Sequence, residues 1–167
     1  HLYNKELKPD FAVYTPAMMA ALRSLQDLRI PLLITGAYVG SDAVIENDKE
    51  VIDFMKEVLH YQQRNNHSSQ TGSVMSVDGK RNGFSLPACT FMTKEGYPQY
   101  RVEAPDALEP VDKKGMRVYR YSDTSMNAGV AYDGKQRIIV LGFPFESIIG
   151  EAERAGVMRG VMNFLVK

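Results

Sequence analysis

The sequence predicts an α/β fold with a doubly wound, mostly parallel sheet flanked by helices, an irregular β insert and a C-terminal β-hairpin. Two short apolar runs, residues 31–36 and 138–141, are typical of strands buried on both faces. Segments with helical spacing of apolar residues precede, separate and follow them, which favours helices on both sides of one sheet. We therefore expect Leu33 and Ile139 to be fully buried on neighbouring central strands.

Three helices are predicted. The first begins at Thr15-Pro16 and ends near Arg29, because threonine can cap the free amides and proline loses no hydrogen bond there. The second begins after Asn47, with Glu50 completing a capping box. The third closes the chain. Its predicted apolar face consists of Ile148, Ala152, Ala155, Met158, Met162 and Leu165.

The remaining segments are predicted as loops and short strands. Residues 37–46 form a loop, residues 62–71 a polar surface stretch, and residues 72–123 an irregular β insert. Asp133-Gly134 marks a hairpin, since glycine adopts a positive φ at little cost. The predicted strand segments are residues 73–77, 84–91, 100–103, 116–121, 128–132 and 136–141.

Composition limits the classes of function. The 20 basic and 20 acidic residues cancel, so nucleic acid is not an expected partner. One cysteine and three scattered histidines predict no internal disulfide, no metal site and no cofactor. No apolar run approaches the ~20 residues that span a bilayer. We expect one domain over residues 1–167, cut from a longer chain because it opens on His1, with other domains of that chain as partners.

The predicted site lies where the two buried strands end, because ligands of doubly wound sheets bind beyond the carboxyl ends of the strands. Gly36, Tyr38 and Gly40 have the spacing of a nucleophile elbow, although a tyrosine phenol is a poor acyl-transfer nucleophile at neutral pH. Glu146 follows the second strand at the predicted start of the closing helix. The predicted ligand-binding residues are Gly36, Tyr38, Gly40, Ser41, Asp42 and Glu146, and the candidate catalytic residues are Tyr38 and Glu146.

Each of these residues also has a purely structural interpretation. The glycines permit a tight strand exit, Ser41 and Asp42 bond local backbone, and Glu146 complements a helix dipole. Four aromatic residues form either a sugar-stacking platform or part of the core. They are Tyr119, Tyr121, Tyr132 and Phe143.

Residues 36–40 resemble the G-x-C-x-G elbow of class I glutamine amidotransferases, and residues 143–146 resemble their late F-H-P-E segment. Matched by position, Tyr38 stands at the cysteine and Pro144 at the histidine, while Glu146 matches the glutamate. The resemblance implies the flavodoxin-like fold of that family. It argues against the activity, because thioester chemistry needs both missing groups. Cys89, in the predicted insert, does not replace the nucleophile.

A closer resemblance is to the amidotransferase-like domain of large secreted Bacteroidetes proteins of xanthan lyase type. It is carried by residues 34–42, 102–108, 128–132 and 140–146. It implies an extracytoplasmic location and a polysaccharide as a possible partner.

Three functions follow as expectations. The first is a non-catalytic module of an exported polysaccharide-processing protein, with an interaction or structural role. The second is a carbohydrate-active hydrolase or lyase that uses Tyr38 as acid or base with Glu146 or Asp42 nearby. The third is a small-ligand binding domain at the same crevice.

Overall fold

The computed structural model describes residues 12–77, 84–96 and 100–166. These residues form a six-stranded mixed sheet, a two-stranded sheet and four α-helices. In chain order the elements are α1 (Pro16–Asp27), β1 (Leu32–Thr35), α2 (Ser41–Ile45), α3 (Lys49–Glu57), β2 (Tyr61–Asn65), β3 (Ser73–Ser76), β4 (Cys89–Thr90), β5 (Ala107–Pro110), β6 (Gly115–Tyr121), β7 (Asn127–Asp133), β8 (Arg137–Leu141), a 3₁₀ turn (Phe145–Ser147) and α4 (Glu151–Leu165).

The prediction of a doubly wound, mostly parallel sheet is wrong. The large sheet has the strand order β1-β8-β7-β6-β3-β4 and curls into a half-barrel. Only β1 and β8 pair in parallel, whereas the other neighbours pair antiparallel. A strand buried on both faces shows that both faces are covered, but it does not show the direction of the neighbouring strands.

The large sheet separates two apolar clusters. Along β8, Ile139 and Leu141 join one cluster, while Ile138 and Val140 join the other. The first cluster includes buried residues of α4 and of residues 84–91. The second includes buried residues of α1, α3 and the small β2–β5 sheet. Since side chains alternate along a strand, these two groups of elements cover opposite faces of the sheet.

The strand β1 lies at an edge of the large sheet and not at its centre. Leu33 pairs with Ile139, as expected for neighbouring strands, and Ile139 is fully buried at 0% exposure. Leu33 is only half-buried, so its predicted full burial is wrong. An edge strand has a neighbour on one side only, which leaves part of each side chain open to solvent.

The helix starts follow the capping rules, with one shift. The Met18 amide donates to Thr15 Oγ1 at 3.2 Å, which confirms the predicted start of α1. The cap of α3 is Asp48 and not Asn47, and its Oδ1 accepts from the Val51 amide at 3.1 Å. The predicted loop at residues 37–46 contains α2, a helix of five residues.

The predicted apolar face of the closing helix is correct in part, since Ile148 and Leu165 are buried and Met158 packs against the core. Met162 is 48% exposed, and Ala152 and Ala155 are also exposed. The buried side chains of α4 are Val157, Val161, Phe164 and Leu165. Alanine and methionine are tolerated at exposed helical positions. Counting them as core residues therefore placed part of the predicted buried face at the wrong positions. In the described part of the chain, no helix has both the length and the apolar character to cross a bilayer.

The predicted insert belongs largely to the main sheet, because β3 and β6 are internal strands and β4 is its second edge. Strand β5 was missed, and so was β2 within the predicted polar surface stretch. Residues 100–103 form no strand. Whether these short segments form strands depends on pairing with neighbouring strands. Short segments carry little sequence pattern that reveals such pairing.

The C-terminal hairpin is confirmed, since β7 and β8 pair antiparallel and Asp133 lies opposite Arg137. The predicted reason for its glycine is wrong, because Gly134 is not among the described residues with positive φ. A Cβ atom on Gly134 would lie 2.2 Å from Cε1 of Tyr132. The turn therefore needs glycine to make room for the tyrosine ring.

Candidate site at the carboxyl edge of β1 and β8

Two loops leave the large sheet at one edge. Thr35 pairs with Leu141 at the ends of the parallel strands β1 and β8. The Gly36 amide donates to the Leu141 carbonyl at 3.3 Å, and the Phe145 amide donates to Thr35 Oγ1 at 3.3 Å. The loop carrying Tyr38 and the loop carrying Glu146 therefore start from the same edge.

A buried acid, Asp106, joins these loops. Its Oδ2 accepts from the amides of Gly40 at 2.8 Å and Ser41 at 3.0 Å. Its own amide donates to the Gly142 carbonyl at 2.7 Å, and its carbonyl accepts from Tyr121 Oη at 2.8 Å. Four contacts thus fix Asp106 between the ends of β1, β8 and β6.

Burial controls the ionisation of Asp106, which is 0% exposed. Burial raises the pKa of its carboxyl group, while hydrogen bonds from Gly40 and Ser41 and the nearby His67 act in the opposite direction. The second carboxyl oxygen, Oδ1, has no hydrogen-bond partner among the described residues. A buried acid of this kind favours the protonated form more than an exposed aspartate does.

Sequence reasoning did not assign a role to Asp106. The residue lies within residues 102–108, which contributed only to the family resemblance. The available signal was an acid between apolar neighbours, Ala104-Pro105 before it and Ala107-Leu108 after it. An acid is almost never fully buried unless it is paired, so an aspartate within an apolar segment indicates a side chain that bonds specific partners.

Tyr38 occupies a strained backbone conformation, with φ at 62°. Its carbonyl accepts from the Asp42 amide at 3.4 Å, and its side chain is half-buried. Gly40 is required for a close approach, because a Cβ atom there would lie 2.7 Å from Cβ of Gln63 in β2. Conformations like that of Tyr38 persist where the surrounding structure enforces them.

Two buried phenols enforce the loop conformation. Tyr61 Oη donates to the Val39 carbonyl at 2.5 Å and lies 2.8 Å from Tyr14 Oη. Burial raises the pKa of Tyr14 to about 12 and that of Tyr61 well above its usual range. Both phenols are therefore neutral hydrogen-bonding groups that support the loop from the core.

Asp42 is engaged with backbone, because its Oδ2 accepts from the Val13 amide at 2.9 Å. Ser41 is buried, and its amide belongs to the Asp106 contacts. The predicted bonding of both side chains to local backbone is wrong, because Val13 lies 29 positions from Asp42 and Ser41 Oγ has no hydrogen-bond partner among the described residues.

Glu146 is exposed on the 3₁₀ turn, five residues before α4 begins, so it is not at the start of that helix. Its Oε1 accepts from Tyr100 Oη at 3.0 Å. Tyr100 is 52% exposed. Partial burial and the hydrogen bond to Glu146 raise the pKa of Tyr100 to about 12. Sequence reasoning assigned no functional role to Tyr100. It placed this residue only at the start of a predicted strand, residues 100–103.

The remaining chemical candidates lie away from this edge or within the core. Tyr119, Tyr121 and Phe143 are fully buried, so they cannot stack on a sugar. Tyr132 stacks on His60 at 3.6 Å between ring centroids, near the hairpin turn at the other end of β8.

The single thiol is equally inaccessible. Cys89 is buried, and burial raises its pKa to about 12. Its sulfur lies 3.9 Å from Tyr119 Oη. A thiol with this pKa is not a nucleophile at neutral pH.

Comparison with known proteins adds no relative. The chain matches no family model, no curated protein and no solved structure. The fold implied by the amidotransferase resemblance also differs from the mixed half-barrel sheet. Within the described residues, no three histidine, cysteine or acidic side chains form a possible metal site.

Proposed function

We propose that this chain is a non-catalytic interaction module of an exported polysaccharide-processing protein. The observation that carries the non-catalytic role is the Asp106 carboxyl group on the amides of Gly40 and Ser41. Acyl transfer needs free donors that stabilise an oxyanion beside the nucleophile. In this chain a buried side chain already occupies two amides of the loop that would supply such donors.

The residues around this loop give further support. Tyr38 stands at the nucleophile position of the elbow and Pro144 at the position of the imidazole. Glu146 Oε1 accepts from Tyr100 Oη, so one of the two carboxylate oxygens that the hydrolase alternative could use is already engaged. A tyrosine phenol is a poor nucleophile at neutral pH. The polysaccharide context and the exported location rest on the sequence resemblance alone.

Turnover assays with the full chain test the non-catalytic role. We expect no glutaminase, esterase or xanthan-cleaving activity above the level of a Tyr38→Phe variant. Tyr132→Phe, near the opposite end of β8, is the matched control. Turnover that Tyr38→Phe abolishes and Tyr132→Phe preserves would replace the proposal with the hydrolase or lyase alternative.

A further inference from the structure

The geometry points to Tyr100 and Glu146 as a recognition site for the guanidinium group of an arginine residue on a partner protein. This inference rests on the interaction role proposed above and names the partner's chemistry. The two side chains lie on the surface, with Tyr100 Oη donating to Glu146 Oε1 at 3.0 Å.

The hydrogen bond prepares the tyrosine ring for a cation. Donation to a carboxylate polarises the phenol toward the ring, which strengthens the negative face that attracts cations. The other carboxylate oxygen, Oε2, makes no hydrogen bond to any described residue. A planar guanidinium group can stack on the ring and donate to Oε2 at the same time, which an ammonium group does less well.

The loop that carries Glu146 is fixed before any partner binds. The Met92 amide donates to the Ser147 carbonyl at 2.9 Å, and the Ile149 amide donates to the Thr90 carbonyl at 2.9 Å. Arg154 Nη1 donates to the Ile148 carbonyl. Binding at this loop therefore requires little ordering of the main chain, which reduces the entropic cost of association.

Other arginines of the chain already use aromatic rings in this way. The Arg23 guanidinium lies 5.1 Å from the ring centroid of Phe54, and that of Arg137 lies 5.8 Å from the ring of Phe164. No described cation occupies the ring of Tyr100 in the same manner. Its neighbour Arg101 approaches Glu103 at 3.9 Å.

The test is a titration of the full chain, with ¹³C-labelled tyrosine rings observed by NMR. The probe is N-acetyl-arginine amide, and N-acetyl-citrulline amide is its uncharged match. We expect a saturable shift of the Tyr100 ring with the arginine probe and at least a threefold weaker response with citrulline. Glu146→Gln keeps an acceptor for Tyr100 but removes the charge, so it should weaken binding at least threefold. Glu151→Gln, an exposed acid of α4, should leave binding unchanged.

Several outcomes would overturn the inference. Equal responses to the two probes would show that charge is not recognised, and no shift at Tyr100 would show that the ring is not used. A Tyr100 shift with methyl glucoside that exceeds the arginine response would assign the surface to a saccharide. The NMR spectrum of each variant should remain that of a folded protein, so that a weaker response reports weaker binding and not unfolding. None of these outcomes changes the turnover result, so the two proposals fail separately.

Discussion

At the scale of single residues, Asp106 determines how the two edge loops are held together. One side-chain oxygen serves two amides, and the main chain of the same residue bonds to Gly142 and Tyr121. Tyr38 and Glu146 could be placed at this edge from sequence, because both follow apolar strands. Asp106 could not, since its partners are 65 and 66 positions away in the chain.

Replacing Asp106 by alanine should be strongly destabilising. The change leaves two buried amides without an acceptor, and we expect a loss of about 2–4 kcal/mol in the free energy of unfolding. Urea denaturation measures this loss. Asp106→Asn keeps an oxygen acceptor and should lose clearly less. Equal losses in the two variants would show that the amide contacts contribute little.

The ionisation of Asp106 should also make stability depend on pH. Because burial raises its pKa in the folded chain, the native state holds this proton more readily than the unfolded chain does. The contribution of Asp106 is therefore fully present below the unfolded pKa and is lost as pH rises through the folded pKa.

Unfolding free energies of the wild type and Asp106→Asn, measured across the acid range up to neutral pH, isolate this effect. The difference should shift in favour of the asparagine variant as pH rises. A shift in favour of the wild type would mean that the two amides outweigh burial and lower the pKa.

At the scale of elements, local rules predicted what local contacts determine. The Thr15 cap and the β7–β8 hairpin depend on residues close in sequence, and both are present. Strand β2 was missed because only Tyr61 among its five residues is buried, so no apolar alternation marks it. The edge position of β1 was missed because nothing in a four-residue apolar strand shows how many neighbours it has.

Because β1 is an edge strand and β8 is internal, we expect truncations in these two paired strands to reduce stability by unequal amounts. Ile139→Ala should cost about 2–5 kcal/mol in the free energy of unfolding, because Ile139 is fully buried. Leu33→Ala should cost less, about 1–2 kcal/mol, because that side chain is half-buried and solvent can fill part of the vacated space. Denaturant unfolding of both variants checks the order. A Leu33→Ala loss as large as that of Ile139→Ala would indicate that the edge of β1 is covered in solution.

At the scale of the whole molecule, the predicted α/β content was correct in kind, whereas the predicted arrangement was not. Apolar periodicity indicates which segments are covered, and it located β1, β8, α1 and α3 near their observed bounds. Strand direction depends on pairs such as β3 with β6, in which Val74 lies opposite Tyr121, far from it in the chain. The fold class could not be predicted without knowing these pairings. The contact between Tyr100 and Glu146 could not be predicted either, because the two residues lie 46 positions apart in the chain.

The burial of Cys89 offers a way to follow the molecule as it opens. The chain has one cysteine, and its side chain is buried in the first apolar cluster beside Tyr119. A thiol reagent can modify that sulfur only after β4 and its surroundings separate. When reclosing outpaces the reagent, the labelling rate reports the equilibrium population of open molecules in native buffer. Cys89 can therefore report local opening of the protein without an introduced probe.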